Sequence, residues 1–188
     1  MGRYLLAAAL SVAALLGQEF KLGSKVEDFA LRDTSGGEVQ FASLRGPVTV
    51  VVFIATKCPV SNSYNDRMNA IYKDYGQRVK FVFVNSNHGE SLQEVAEHAR
   101  DHFSFAVYKD VNNVVADRFG ATVTPEAFVL DATGTIRYHG SIDDSQVVQR
   151  VQENRLRNAL DAVLEDKPVA AAETKAFGCS IKRVKKAS

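Results

Sequence analysis

The sequence predicts an α/β domain built on a mixed central sheet with helices on both faces. Three observations carry that prediction. Residues 48–54 (VTVVVFI) and 79–84 (VKFVFV) are nearly continuous apolar runs rich in β-branched residues, the pattern of strands buried on both sides. Segments with apolar residues at helical spacing lie between and after them, so strand and helix alternate. Toward the end, EAFVLD and TIRYHG flank the turn Ala132-Thr133-Gly134 and read as an antiparallel hairpin.

The first element in order is MGRYLLAAALSVAALLG, in which Arg3 precedes an apolar run over residues 4–16, the outline of a secretory leader. The run is short for a membrane span, and no cysteine follows it to carry a lipid anchor. Neither Ala14 nor Gly17 sits in an ideal small-x-small context, so the cleavage position stays open. The expected organisation is a leader over residues 1–17, one folded domain over 18–166 and an extended basic tail over 167–188. After membrane export no segment is expected to remain inserted.

DFALRDTSGGEVQFASLRG predicts an N-terminal β-hairpin turning at Gly36-Gly37. Val60, Tyr64, Met68, Ile71, Tyr72 and Tyr75 predict a helix over 59–75, stopped by Gly76. Ser91 and Glu94 form a capping box opening a helix that carries Leu92, Val95, Ala96 and Ala99 on one side. FAVY (105–108) predicts a short strand, and 112–119 a short helix closed by Gly120. A long helix is expected over 144–165, turning Val147, Val148, Val151, Leu156, Leu160 and Val163 to the sheet. The remainder, DKPVAAAETKAFGCSIKRVKKAS, has no periodicity and is expected to run over the surface.

With 46% hydrophobic and 24% charged residues, the 188-residue chain suits one domain with a real core. A formal net charge of +1 argues against a general nucleic-acid binder. The six Lys and Arg from Lys167 onward, set against Glu173 alone, read as a solvated tail. Cys58 and Cys179 are too few for a disulfide scaffold, a cysteine-based zinc site or an iron–sulfur cluster. Export would put both where disulfides form. His98 and His102 stand four apart, a spacing that can hold a metal, but without an HExxH arrangement or an evident third ligand. No metal and no cofactor is expected.

Cys58 sits where an apolar run gives way to a helix-compatible one, in FIATKCPVSN. A thiol at a helix start meets unpaired N–H groups and the positive end of the helix dipole, which favour thiolate. At such sites a thiol pKa can fall from about 8.5 to roughly 3.5–7.5. Lys57 adds a positive charge, and Pro59 suits the first helical turn. A merely structural cysteine fits better inside the preceding apolar run.

FIATKCPVSN, the VTP of residues 123–125 and the β-β-α finish resemble the thioredoxin-like superfamily. In particular they resemble the redoxin branch grouped with alkyl hydroperoxide reductase and thiol-specific antioxidant proteins, over about residues 23–165. The tail ETKAFGCSIKR resembles that of a peroxiredoxin-like subgroup of secreted proteins. The resemblance implies a cis Pro125 facing Cys58, with Thr124 offering backbone groups to a substrate chain. It also implies protein or small-molecule thiols and disulfides as partners.

Two departures limit what the resemblance carries. The position three residues after Cys58, where thioredoxins keep a second cysteine, holds Ser61, which can donate to a thiolate or cap the helix but cannot attack sulfur. The places where peroxiredoxins keep a hydroxyl residue, a proline and an arginine around their thiolate hold Ala55, Val51 and, by the same alignment, Pro125. Cys179 is thus the one internal candidate to resolve a mixed disulfide. Catalytic pairing, a structural Cys58–Cys179 staple and no pairing all stand open. Glu126 either approaches the thiol as a proton acceptor or turns to solvent, and Asn85, Ser86 and Asn87 are either ligand contacts at strand ends or a turn. The expected function is an exported thiol–disulfide oxidoreductase. The alternatives are a slow thiol peroxidase and a non-catalytic binding protein held by a structural disulfide.

Overall fold

A computed structural model describes residues 19–185, so the expected leader lies outside the described residues. The hairpin is formed by β1 (Ala30–Arg32) and β2 (Glu38–Gln40), followed by one helical turn, α1 (Phe41–Leu44). Asp33 shapes the hairpin turn by accepting from the N–H groups of Ser35 and Gly37, both at 2.9 Å. Then come β3 (Thr49–Ile54), α2 (Pro59–Asn62), α3 (Asn65–Tyr75), β4 (Lys80–Asn85), α4 (Leu92–His102) and β5 (Val107–Lys109). The second half holds α5 (Val114–Phe119), β6 (Val123–Thr124), β7 (Glu126–Leu130), β8 (Ile136–Gly140), α6 (Arg155–Leu164) and β9 (Cys179–Ser180).

Seven strands form one sheet in the order β2-β1-β5-β4-β3-β7-β8. β3 and β4 pair in parallel, as do β4 and β5, while β7 runs antiparallel to both β3 and β8. This is the predicted mixed sheet. Because side chains alternate along a strand, Val50, Val52 and Ile54 face one core with Met68, Ile71, Val95 and Leu160, drawn from α3, α4 and α6. Val51 and Phe53 face a second core with Phe41, Val115 and Phe119, from α1 and α5. β3, buried along its whole length, therefore ends with its carboxyl terminus fixed between two packed layers.

The sequence expectations differ from the structure in four places. The helix expected over 59–75 is two helices. Tyr64 N–H bonds back to Ser61 at 3.0 Å, a tight three-residue step, and α3 restarts beyond the buried Tyr64 ring. The helix expected from 144 begins only at Arg155. The Asp144 carboxylate accepts from the N–H groups of Gln152 and Glu153 at 3.0 and 3.2 Å, taking donors that a continuous helix needs for its own ladder. Val147 and Val148, expected against the sheet, are 45% and 58% exposed. The strand expected at 105–108 is shifted to β5, with Phe105 stacked on Phe83 instead. The segment after α6 also does more than run over the surface: it returns to pair β9 with β6.

Phe119 is central to the second core, touching the rings of Phe20, Phe29, Phe53 and Phe128. Phe119→Ala is expected to cost about 3–5 kcal/mol, through lost transfer energy and a residual cavity. Urea unfolding of the two proteins measures it, and a loss below about 1 kcal/mol would contradict this packing.

Candidate active site

Cys58 lies just beyond the carboxyl end of β3 and caps α2, with Pro59 as the first helical residue. Its sulfur is joined to Cys179, 121 residues on, with Cα atoms 5.8 Å apart, within the ordinary range for a disulfide. Of the three readings left open, no pairing is therefore not the state observed. Cys58 is only 4% exposed, whereas Cys179 is half-buried.

The groups around the sulfur differ in part from expectation. Ser61 reaches it through its backbone N–H, at 3.2 Å from Sγ, while the Ser61 hydroxyl accepts from Ala55 N–H at 3.1 Å. Since α2 is a single turn, the sulfur is stabilised by this local donor and not by the dipole of a long helix. Lys57 points elsewhere: its ammonium pairs with Glu94 at 2.6 Å and with the Gly89 carbonyl at 3.3 Å. That pairing holds the Lys57 pKa up and brings the Glu94 carboxyl down to about 2, with the Ser91 cap adding to the effect on Glu94.

Facing the sulfur, the Thr124–Pro125 peptide bond is cis. The Thr124 carbonyl oxygen is 3.5 Å from Cys58 Sγ, a contact that a reduced thiol could convert into a hydrogen bond. The Thr124 hydroxyl is buried without a partner among the described residues. Glu126 does not serve the thiol as a proton acceptor in this arrangement. One of its carboxylate oxygens accepts from the N–H groups of Thr122 and Val123 at 2.7 and 3.1 Å, and the other meets His139 Nε2 at 2.6 Å. Glu126 thereby fixes the turn that precedes Pro125, and the His139 ring is itself stacked on Phe128.

The opposite wall is the loop after β4. Buried Glu90 accepts from Thr56 N–H and Lys57 N–H at 2.8 and 2.9 Å, and from the Asn85 amide at 2.5 Å. Asn85 in turn accepts from Lys109 Nζ at 2.8 Å, and Lys109 also donates to the Asn87 carbonyl at 2.6 Å. Burial lowers the Lys109 pKa and raises that of Asp110, which accepts from Ser86 and from the first turn of α5. His98 Nε2 meets the Asn62 side chain at 3.1 Å, with the His102 ring beside it.

The tail passes between these two walls. Cys179 pairs with Thr124 and Ser180 with Val123, antiparallel. Ile181 N–H then donates to the Thr122 carbonyl at 2.9 Å, and Lys182 N–H to Asn87 Oδ1 at 2.7 Å. A cleft of about 320 Å³ opens beside the disulfide, lined by Lys57, Asn87, Glu90, Ser180 and Lys182. A larger open cleft of about 740 Å³, around Asn69, Lys73 and His102, contains neither cysteine. The structure thus gathers Cys58, Cys179, Thr124, Pro125 and Ser61, with Glu126 one layer behind and the Lys57 charge turned away. Glu90 and His139, which hold the two walls, stand in no motif of the sequence and leave no local signal to find.

The AhpC/TSA family profile matches residues 22–139, which take in Cys58 and Pro125. Among solved structures, a hypothetical protein of Sinorhizobium meliloti 1021 is 31% identical, with a TM-score of 0.80 over 89% of this chain and 97% of that one. An uncharacterized conserved protein of Geobacillus kaustophilus is 30% identical, with a TM-score of 0.82 over 89% and 95% of the two chains. The thioredoxin-like protein YneN of Bacillus subtilis is 23% identical over 69% of this chain and 78% of its own length. A shorter match to glutathione peroxidase 1 of Helianthus annuus, 33% identical, spans 27% of this chain and 30% of that protein. With the profile matched over more than half its length and the strand order and cis-proline turn in place, this chain belongs to the AhpC/TSA family of the thioredoxin-like superfamily.

Proposed function

We propose that the chain is an exported thiol–disulfide oxidoreductase that cycles between the Cys58–Cys179 disulfide and the dithiol. The observation that carries this reading is the position of the disulfide: it joins a buried helix-capping sulfur, already holding an N–H donor, to a half-exposed cysteine on a separate strand. In the reducing direction the Cys58 thiolate attacks one sulfur of a substrate disulfide and the other leaves as thiolate. Cys179 thiolate then attacks Cys58 Sγ, the substrate's second sulfur departs, and the internal disulfide is restored. The reverse sequence oxidises a substrate dithiol. The donor for the Cys58 anion is the Ser61 amide.

A purely structural staple requires no sulfur that caps a helix and holds an N–H donor. For peroxide chemistry the supporting places are unsuited: Val51 and Ala55 are buried apolar residues and Pro125 is the turn itself, so none offers a hydroxyl or guanidinium to an O–O bond. The expected partners are protein or small-molecule thiols and disulfides.

Intact mass after alkylation in denaturant should show no label on the untreated protein and two labels after reduction. Cys58→Ser should abolish reduction of a model disulfide substrate. Cys179→Ser should still form the mixed disulfide but turn over at least about tenfold more slowly, with the trapped adduct visible by mass. A Cys58→Ser protein of undiminished rate would refute the assignment.

Thr124→Val removes a buried hydroxyl that has no partner among the described residues, so the melting temperature should hold or rise, by up to about 1 kcal/mol in stability. Thermal denaturation of the two proteins reads the difference.

A further inference from the structure

We propose that the groove now filled by residues 177–184 is a binding site for an external polypeptide strand in which cysteine directly follows glycine, and that the tail is a stand-in which this strand displaces. The proposal rests on the oxidoreductase reading above and names its substrate class. The tail is gripped mainly through its main chain, from both sides. On one side are the β6 pairing and the Thr122 carbonyl. On the other, His88 N–H donates to the Lys182 carbonyl at 2.9 Å, Asn87 takes Lys182 N–H, and Asn113 takes Val184 N–H at 2.8 Å while its amide donates to the Lys182 carbonyl at 3.1 Å. Such contacts accept any extended chain, which is how strand addition works; selectivity then comes from the side chains that the walls admit.

Within residues 178–182, two positions are selective. A Cβ built on Gly178 would run into the Thr124 carbonyl oxygen, a backbone atom of β6, the strand with which the tail pairs. The residue before the cysteine must therefore lack a side chain. Two residues after the cysteine, Ile181 is 6% exposed in the core with Phe53 and Phe119, so an apolar residue is favoured there. Ser180 and Lys182 are exposed and leave their places unrestricted.

The tail is also attached in two separable parts. Before the groove, His139 exchanges backbone bonds with Ala172 and Thr174, both at 2.9 Å, and the Thr174 hydroxyl meets Tyr138 OH at 2.8 Å and Ser141 N–H at 3.1 Å. The strand that follows can leave while this anchor stays, keeping Cys179 tethered at high effective concentration. After an external dithiol has reduced the internal disulfide, the Cys58 thiolate attacks the cysteine of a peptide disulfide lying in the vacated groove, and the peptide's other sulfur leaves as thiolate. Cys179 thiolate then attacks Cys58 Sγ and the peptide sulfur departs as thiolate. Because tail and peptide claim the same pairing with β6, the returning tail also evicts the reduced peptide.

The test uses the full chain carrying Cys179→Ser and the peptide AFGCSIKR, its cysteine joined in a mixed disulfide to thionitrobenzoate. It is compared with peptides in which alanine or valine replaces glycine, or serine replaces isoleucine. Release of thionitrobenzoate and the adduct mass are followed. The glycine peptide should react at least about tenfold faster than the alanine peptide, the size expected for forcing one carbon into a packed position, and the serine peptide should fall between. Equal rates for all peptides, with a small aromatic disulfide still reacting at Cys58, would overturn the groove assignment alone. No reaction with any disulfide would overturn the oxidoreductase reading. In the two-cysteine chain, Gly178→Val should shift the equilibrium with a reference dithiol at least about tenfold toward the reduced form, and an unchanged equilibrium would contradict the role given to Gly178. If the reduced wild-type chain, offered the peptide, instead forms dimers linked from Cys58 to Cys179 of a second copy, the occupant is that copy and the external strand is wrong.

Discussion

The pairing of β6 with β9 is the interaction on which the site depends, and it works because one buried carboxylate holds β6 in place. Glu126, the first residue of β7, lies opposite Phe53 of β3 and cannot shift without disturbing the centre of the sheet. Its carboxylate satisfies the N–H groups of Thr122 and Val123, which orients this short stretch and leaves its outer edge for another strand. The other carboxylate oxygen engages His139, whose backbone anchors the tail at Ala172 and Thr174. A single acid thus connects the turn facing Cys58 to the point from which the tail departs. An unpartnered acid in that position would carry a heavy desolvation cost. With three donors it becomes the fixed point of the region.

The cysteine is positioned by a comparable device on the other wall. The turn from Thr56 to Cys58 is too tight to satisfy its own backbone, and side chains do it instead. Glu90 accepts from two successive N–H groups, and the Asn62 amide donates to the Thr56 carbonyl at 3.0 Å. The Ser61 hydroxyl takes the Ala55 N–H, leaving the Ser61 amide free to point at sulfur. Each of these bonds fixes a backbone group next to the reacting atom, so the geometry of Cys58 is set before any substrate arrives. Burying Lys109 behind this cluster, with Asn85 and the Asn87 carbonyl as its acceptors, gives the loop after β4 a rigid backing.

What could be read from the sequence was what leaves a period or a local signature. The apolar runs of β3 and β4, the hairpin at Gly36 and the Ser91–Glu94 capping box all appear where they were expected, because each is specified by residues close together in the chain. The cis bond at Pro125 followed from resemblance and not from any property of the tripeptide. The break at Tyr64 was hidden because that ring lies on the apolar stripe of a continuous helix, and only its burial against other elements shows that the path bends. The late start of α6 depends on Asp144 bonding eight and nine residues ahead, a reach no helical pattern encodes. Lys57 was credited to Cys58 by adjacency, whereas the ammonium spends its charge on Glu94, an acid 37 positions later that α4 brings within 2.6 Å. The tail looked structureless because backbone bonds to two loops, together with a covalent link, leave no periodicity to detect.

The same disulfide can fasten the fold and still be used as a redox couple, provided the fold survives its loss. Closing a loop of this length is worth about 4–5 kcal/mol in the chain-entropy view, a large share of the 5–15 kcal/mol that stabilises an ordinary domain. The distribution of the core decides whether the domain can forgo that contribution. Both buried clusters are assembled almost wholly from residues between Phe20 and Val163; the tail supplies Ile181 to one, and Val169 and Phe177 only at the edge of the other. In the proposed cycle, release of β9 withdraws a segment that supplies Ile181 alone to the buried clusters, while the Thr174 anchor and the Glu126–His139 link remain on the body of the protein. A disulfide placed to hold the cores together would have joined elements on opposite faces of the sheet. This one joins a helix cap to β9 at the carboxyl end of β3, so in the proposed cycle its reduction frees the groove while the two cores stay packed.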